Sequence, residues 1–95
     1  MTTGYLVFVY NTGPEQILDI SPKKVLYKTF ESASISAQRM AAEQAYILGA
    51  TIEELQLFNP QSYADRWGSV ELFHITNGYK TICSIKVMAV YSDDE

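Results

Sequence analysis

Hydrophobic and polar positions along the chain fall into short runs divided by turn residues. Tyr5-Leu6-Val7-Phe8-Val9-Tyr10 is β-branched and aromatic throughout and is closed by Asn11-Thr12-Gly13-Pro14, which predicts a strand. Its apolar residues point to both faces, so the strand is expected inside a sheet rather than at its edge. Ile17, Leu18 and Ile20 follow without a clear period. Ser21-Pro22 then resets the chain into Lys24–Phe30, which reads as a second strand.

From Ala33 to Leu48 the residues change to helix formers. Ala37, Met40, Ala41, Ala45 and Leu48 recur at three- and four-residue spacing, which predicts the main helix. Ser32 or Ser34 is placed to cap its start and Gly49 to take the left-handed residue at its end. The alanine-rich stripe allows close approach to a sheet. Thr51–Phe58 supports two readings. Thr51 and Glu54 form a capping-box pattern, yet the same residues can extend as a strand. The strand is preferred here, because a second helix would need Asn59-Pro60 as its stop.

Gln61–Gly68 reads as a turn-rich loop carrying Tyr63, Asp65, Arg66 and Trp67. Asn77-Gly78, between Ser69–Thr76 and Tyr79–Tyr91, predicts a hairpin with a two-residue type I′ turn, since both residues tolerate positive φ. Such a turn sets Thr76 opposite Tyr79, Phe73 opposite Ile82 and Leu72 opposite Cys83. One face of the hairpin then carries Val70, Leu72, Cys83, Ile85 and Val87, a core surface. The other carries Phe73, Ile75, Ile82, Met88 and Val90 and is too apolar to face water comfortably. The fold expected is α+β: an antiparallel four- to five-stranded sheet, one main helix packed on one face, and a C-terminal β-hairpin with an Asn-Gly turn.

Length and composition support one domain over 1–95. The 95 residues are 47% hydrophobic and 19% charged, enough apolar material to offset the entropy of folding. The acidic residues at 92–95 are expected to form a short disordered tail. Cys83 is the only cysteine, so no intrachain disulfide forms, and a small domain without staples suits a reducing compartment; cytoplasm is expected. No basic leader precedes the first apolar run and no long uncharged apolar stretch exists, so neither export nor membrane association is expected.

Seven Lys+Arg against eleven Asp+Glu give a formal charge of −4, which repels phosphate backbones. Lys23, Lys24 and Lys28 form the one local basic cluster and read as a solvated strand edge. Direct nucleic-acid binding is not expected.

Chemistry is sparse. A nucleophile with its base could come only from Cys83 and His74, which the two-residue turn would place as diagonal neighbours on one face. Cys83 opposite Leu72 reads better as a small buried hydrophobe and His74 as a half-exposed polar end, so no catalytic residue is expected. No CxxC, HxxxH or EF-hand loop appears, and the glycines stand singly at turns and caps, so neither metal nor nucleotide nor another cofactor is expected. Thr51–Leu55 with Phe58-Asn59-Pro60 resembles the end of a LysM peptidoglycan-binding module. The Gly-Asp-Thr opening of that family is missing, and the resemblance assigns no function.

What stands out is the aromatic content: seven Tyr, four Phe and one Trp. Tyr63, Asp65, Arg66 and Trp67 combine the residue types that dominate binding hot spots and form the candidate protein-binding element. The competing reading folds Trp67 back over the core. Phe73, Ile75, Ile82 and Met88 are the candidate self-interface. The function expected is a non-enzymatic protein–protein interaction domain, an adaptor or inhibitor of a larger protein machine. Small phage-type regulators of host nucleic-acid enzymes or defence complexes belong to this class. A homo-oligomeric structural subunit is the alternative, followed by a small-ligand pocket or minor enzyme.

Overall fold

A computed structural model describes residues 2–11, 18–20 and 25–92. The elements are β1 (Thr2–Asn11), β2 (Leu18–Ile20), α1 (Phe30–Leu48), β3 (Thr51–Glu54), α2 (Pro60–Trp67), β4 (Ser69–Thr76) and β5 (Thr81–Tyr91). The strands form one antiparallel sheet in the order β2-β1-β5-β4-β3, so the fold is α+β. β1 has a neighbour on each side, as its two-sided apolar pattern requires. Tyr5 and Val7 enter the core, which α1 completes with Ala33, Ala37 and Ala41, all fully buried. The small side chains let helix and sheet approach closely.

The first half departs from expectation in two places. Of the expected strand Lys24–Phe30, the described residues 25–30 do not form one: Tyr27 makes an isolated bridge to Tyr5, and Leu18–Ile20 pairs with β1 instead. α1 begins at Phe30, three residues before Ala33. Thr29 is extended and its hydroxyl accepts the Ser32 N–H at 3.1 Å, satisfying a free helix donor before Ser32 or Ser34 is reached. Burial of Phe30 edge-on to Tyr5, with ring centroids 5.5 Å apart, anchors this earlier start. Gly49 closes the helix at φ 62°, as expected. Lys23 and Lys24 lie outside the described residues; Lys28 is exposed.

Thr51–Glu54 is a strand, as preferred, and it stands at the sheet's end. Gln61–Gly68, by contrast, is not a loop. The Asn59 side chain accepts the Ser62 N–H at 3.3 Å, Pro60 occupies the first turn and Gly68 takes φ 98°, so α2 is a second, fully capped helix. Asn59-Pro60, offered above as a stop, is a start: a cap acceptor followed by a residue with no N–H to leave unsatisfied.

β4 and β5 form the expected hairpin, but its connection spans Asn77–Lys80. The Asn77 carboxamide oxygen accepts the N–H groups of Tyr79 and Lys80 at 3.1 and 3.2 Å, and Gly78 takes φ 97°. The Asn77 N–H also donates to the Lys80 carbonyl at 3.2 Å, so the two enclosed residues are Gly78 and Tyr79, and capping by Asn77 shifts the turn one residue past the expected Asn77-Gly78. Thr76 pairs with Thr81, Ile75 with Cys83 and Phe73 with Ile85, while Glu71 pairs with Lys86, leaving Leu72 as a bulge. The bulge turns Leu72 and Phe73 to the same side. Val70, Leu72, Phe73 and Ile75 are consequently all core residues, together with Cys83, Ile85, Val87 and Ala89. The proposed outer face is thus broken up. Phe73 and Ile75 lie inside, whereas Ile82 is half-buried and Met88 is 37% exposed.

Candidate interaction surface

α2 is tied to the sheet by a small polar network. The buried Tyr5 hydroxyl donates to Asp65 Oδ1 at 2.8 Å and accepts from Gln61 Nε2 at 3.3 Å. Thr2 Oγ1 adds a second bond to Asp65 at 3.2 Å, and the Tyr91 hydroxyl donates to the Ala64 and Asp65 carbonyls. Burial, followed by the hydrogen bond to Asp65, pushes the Tyr5 phenol above its ordinary value of 10.0. Ala64 is fully buried beneath the helix. Gly68 continues the attachment by accepting the Ala89 N–H at 2.8 Å.

The structure therefore divides the four predicted contact residues. Asp65 faces inward and positions the helix. Tyr63, Arg66 and Trp67, spaced i, i+3 and i+4, share the outward face. Trp67 is 71% exposed, so it does not fold back over the core. Sequence reasoning missed Phe58, which is fully exposed immediately before the cap residue Asn59. Phe58 and Tyr63 occupy the positions of a hydrophobic staple, yet full exposure of Phe58 leaves that pair unclosed. The signal was available in Phe-Asn-Pro, had it been read as a helix start.

His74 and Cys83 do not meet. Cys83 pairs with Ile75 and is buried on the helix side, where desolvation raises its thiol above the ordinary 9.0. His74 lies on the opposite, open face, 2.7 Å from Glu71 Oε1 and 3.9 Å from Glu53 Oε1. Lys86 Nζ extends this line, 3.9 Å from Glu71 Oε2 and 4.2 Å from the centre of the Tyr10 ring. No group of three metal-ligating side chains occurs among the described residues. None of their helices is long and apolar enough to cross a membrane.

A cleft of about 290 Å³ opens between the first half of α1 and residues 54–57, floored by Leu72 and Phe73. Comparison with known protein families, curated proteins and solved structures finds no match.

Proposed function

We propose that this chain is a non-enzymatic protein-interaction domain, an adaptor or inhibitor of a larger protein machine, acting in a reducing compartment such as the cytoplasm. The observation that carries the reading is the outward face of α2. Tyr63, Arg66 and the 71%-exposed Trp67 stand together on a helix whose inner side is fixed by Ala64 and Asp65. Large side chains held on a rigid support lose little conformational entropy when they are covered, which is what binding hot spots exploit. The separation of His74 from Cys83, the nucleophile–base pair considered from the sequence, supports the non-enzymatic reading. A buried, unpaired Cys83 accords with reducing conditions. A phage-type regulator of a host nucleic-acid enzyme or defence complex remains the narrower form of the proposal, one in which the chain contacts protein and not nucleic acid.

The test is to identify a partner retained by the tagged chain, purify it, and measure its affinity for wild type, Trp67→Ala and a control, Tyr79→Ala. Tyr79 is still more accessible but sits in the β4–β5 loop. A loss of at least about tenfold for Trp67→Ala alone is expected from truncating a central aromatic anchor. Equal affinities would remove α2 as the contact surface. The homo-oligomer alternative draws on the half-buried Leu6 and Phe8 and on Met88, which both helices leave uncovered. A solution mass that rises with concentration would favour it.

A further inference from the structure

β3 is the last strand of the sheet; among the described residues only β4 pairs with it. The ladder runs from Thr51 opposite Thr76 to Glu54 opposite Phe73, and the Leu55 N–H donates to the Leu72 carbonyl at 3.0 Å, one step further in the same register. Antiparallel alternation therefore turns the main chain of Thr51, Glu53 and Leu55 toward β4 and that of Ile52 and Glu54 outward. All four residues of β3 are exposed. The side chains of Ile52 and Glu54 share the helix side with their core partners Ile75 and Phe73.

Beside this outward-facing edge lies the 290 Å³ cleft. Glu31, Ile35 and Gln38 form its helix wall at i, i+4 and i+7, Leu55 and Leu57 its other wall. Ile35 in the helix wall is 51% exposed, and Ile52 on the neighbouring edge strand is 40% exposed, so apolar surface is left to solvent in the cleft and along the edge. The lining includes two carboxylates, Glu31 and Glu54, and no Lys or Arg; Glu53 is adjacent. Charges on an edge strand by themselves only discourage aggregation. A cleft beside them, with Ile35, Leu55, Leu57, Leu72 and Phe73 among its lining, is not needed for that purpose.

We propose that this edge and cleft receive an extended segment of a partner protein as a sixth strand. One apolar side chain of the segment enters the cleft, and Lys or Arg side chains two positions to either side, on the same face of the added strand, meet Glu31 and Glu54. Main-chain bonds to Ile52 and Glu54 supply affinity, the cleft supplies selection by shape, and the carboxylates select for charge. A second copy of this chain is a poor occupant, because two-fold pairing of β3 would set Glu53 and Glu54 of both copies within one short ladder. The inference rests on the protein-binding reading and adds a contact surface separate from Tyr63 and Trp67.

The test titrates the ¹⁵N-labelled full chain with the peptide Ac-Thr-Lys-Thr-Leu-Thr-Lys-NH₂, whose Lys and Leu side chains share one face when extended. Two companions are used: the same peptide with Glu at each basic position, and the basic peptide N-methylated at alternate residues. Amide shifts are expected at Ile52, Glu54, Leu55 and Ile35. The basic peptide should bind at least about tenfold tighter than the acidic one, and N-methylation should abolish binding. Glu31→Gln with Glu54→Gln, both at exposed positions, should erase the charge preference while leaving the fold intact. Absence of binding, shifts centred elsewhere, or undiminished binding of the N-methylated peptide would each overturn the proposal. So would peptide-free, concentration-dependent broadening at β3, which would make a second copy the occupant. Any of these could coexist with Trp67-dependent partner binding, so the two ideas fail separately.

Discussion

Removing the Tyr5 hydroxyl should loosen α2 from the sheet by a measurable amount. The 2.8 Å bond to Asp65 Oδ1 joins a buried phenol to a carboxylate, a class worth about 1.5–3 kcal/mol when made. Asp65 is only half-buried and keeps Thr2 as a donor, which places Tyr5→Phe at the low end, about 1–2 kcal/mol. Asp65→Ala strips the acceptor from both Tyr5 and Thr2 and leaves the buried phenol with Gln61 alone; about 2 kcal/mol is expected. In the double variant the two losses should overlap by about 1 kcal/mol, because both remove the same bond. For a domain this small each kcal/mol lowers Tm by roughly 4–8 °C. Urea unfolding followed by far-UV circular dichroism measures the cycle. Fluorescence of the single tryptophan, Trp67, reports α2 in parallel. Additive effects, with a coupling below about 0.3 kcal/mol, would refute the claim that this bond fixes the helix.

Four further outcomes are expected. Phe73→Lys should cost more than about 3 kcal/mol, or prevent folding, because it buries a charge in the core rather than altering an outer surface; retention of native circular dichroism would place Phe73 outside. Trp67→Ala should change stability by no more than about 0.5 kcal/mol in a urea titration, since the side chain is solvated. The raised Cys83 thiol contributes stability that is present below pH 9 and is lost as pH climbs above that value. Cys83→Ala should therefore flatten the alkaline limb of the urea midpoint against pH, and an unchanged slope would count against a buried thiol. Replacing Glu71 and Lys86 together by Leu and Met should produce more self-association than wild type shows by light scattering at the same concentration; no increase would count against the charged line as what keeps this face solvated.

The fold class, the interior position of β1, the main helix with its Gly49 cap and the strand at Thr51 were all legible, because each rests on a periodicity or on one residue with one conformational use. What escaped depended on competition. Asn59-Pro60 is a legitimate stop for a preceding element and an equally legitimate start for a following one. Which applies was decided by Ala64 finding the core and Asp65 finding Tyr5, a partner 60 residues away. The hairpin register hung on whether the two enclosed residues would be Asn77-Gly78 or, with Asn77 capping them, Gly78-Tyr79. The Leu72 bulge then inverted the alternation, so a pattern read strictly at period two sent Phe73 and Ile75 to the wrong face. Tyr63, Arg66 and Trp67 were legible as binding-type residues by composition. Their common face became visible only once the segment was known to be helical.

The open face of the sheet shows why the interaction reading centres on α2. Leu6, Phe8 and Met88 leave that face partly apolar, but Glu53, His74, Glu71 and Lys86 run through its middle. Covering it with a second copy would desolvate at least one ammonium and one carboxylate, each at several kcal/mol. The Lys86–Glu71 separation of 3.9 Å is too loose to recover that cost, since pairs of this kind contribute about 0–1 kcal/mol even at the surface. Water is the better partner for the middle of this face. On α2 the balance differs: Tyr63 and Trp67 present large apolar areas, the inward carboxylate of Asp65 is already satisfied, and Arg66 is the one charge of this outward face. A partner that covers α2 gains apolar burial and has a single charge to match with an acceptor, where the open sheet face sets Glu53, His74, Glu71 and Lys86 together.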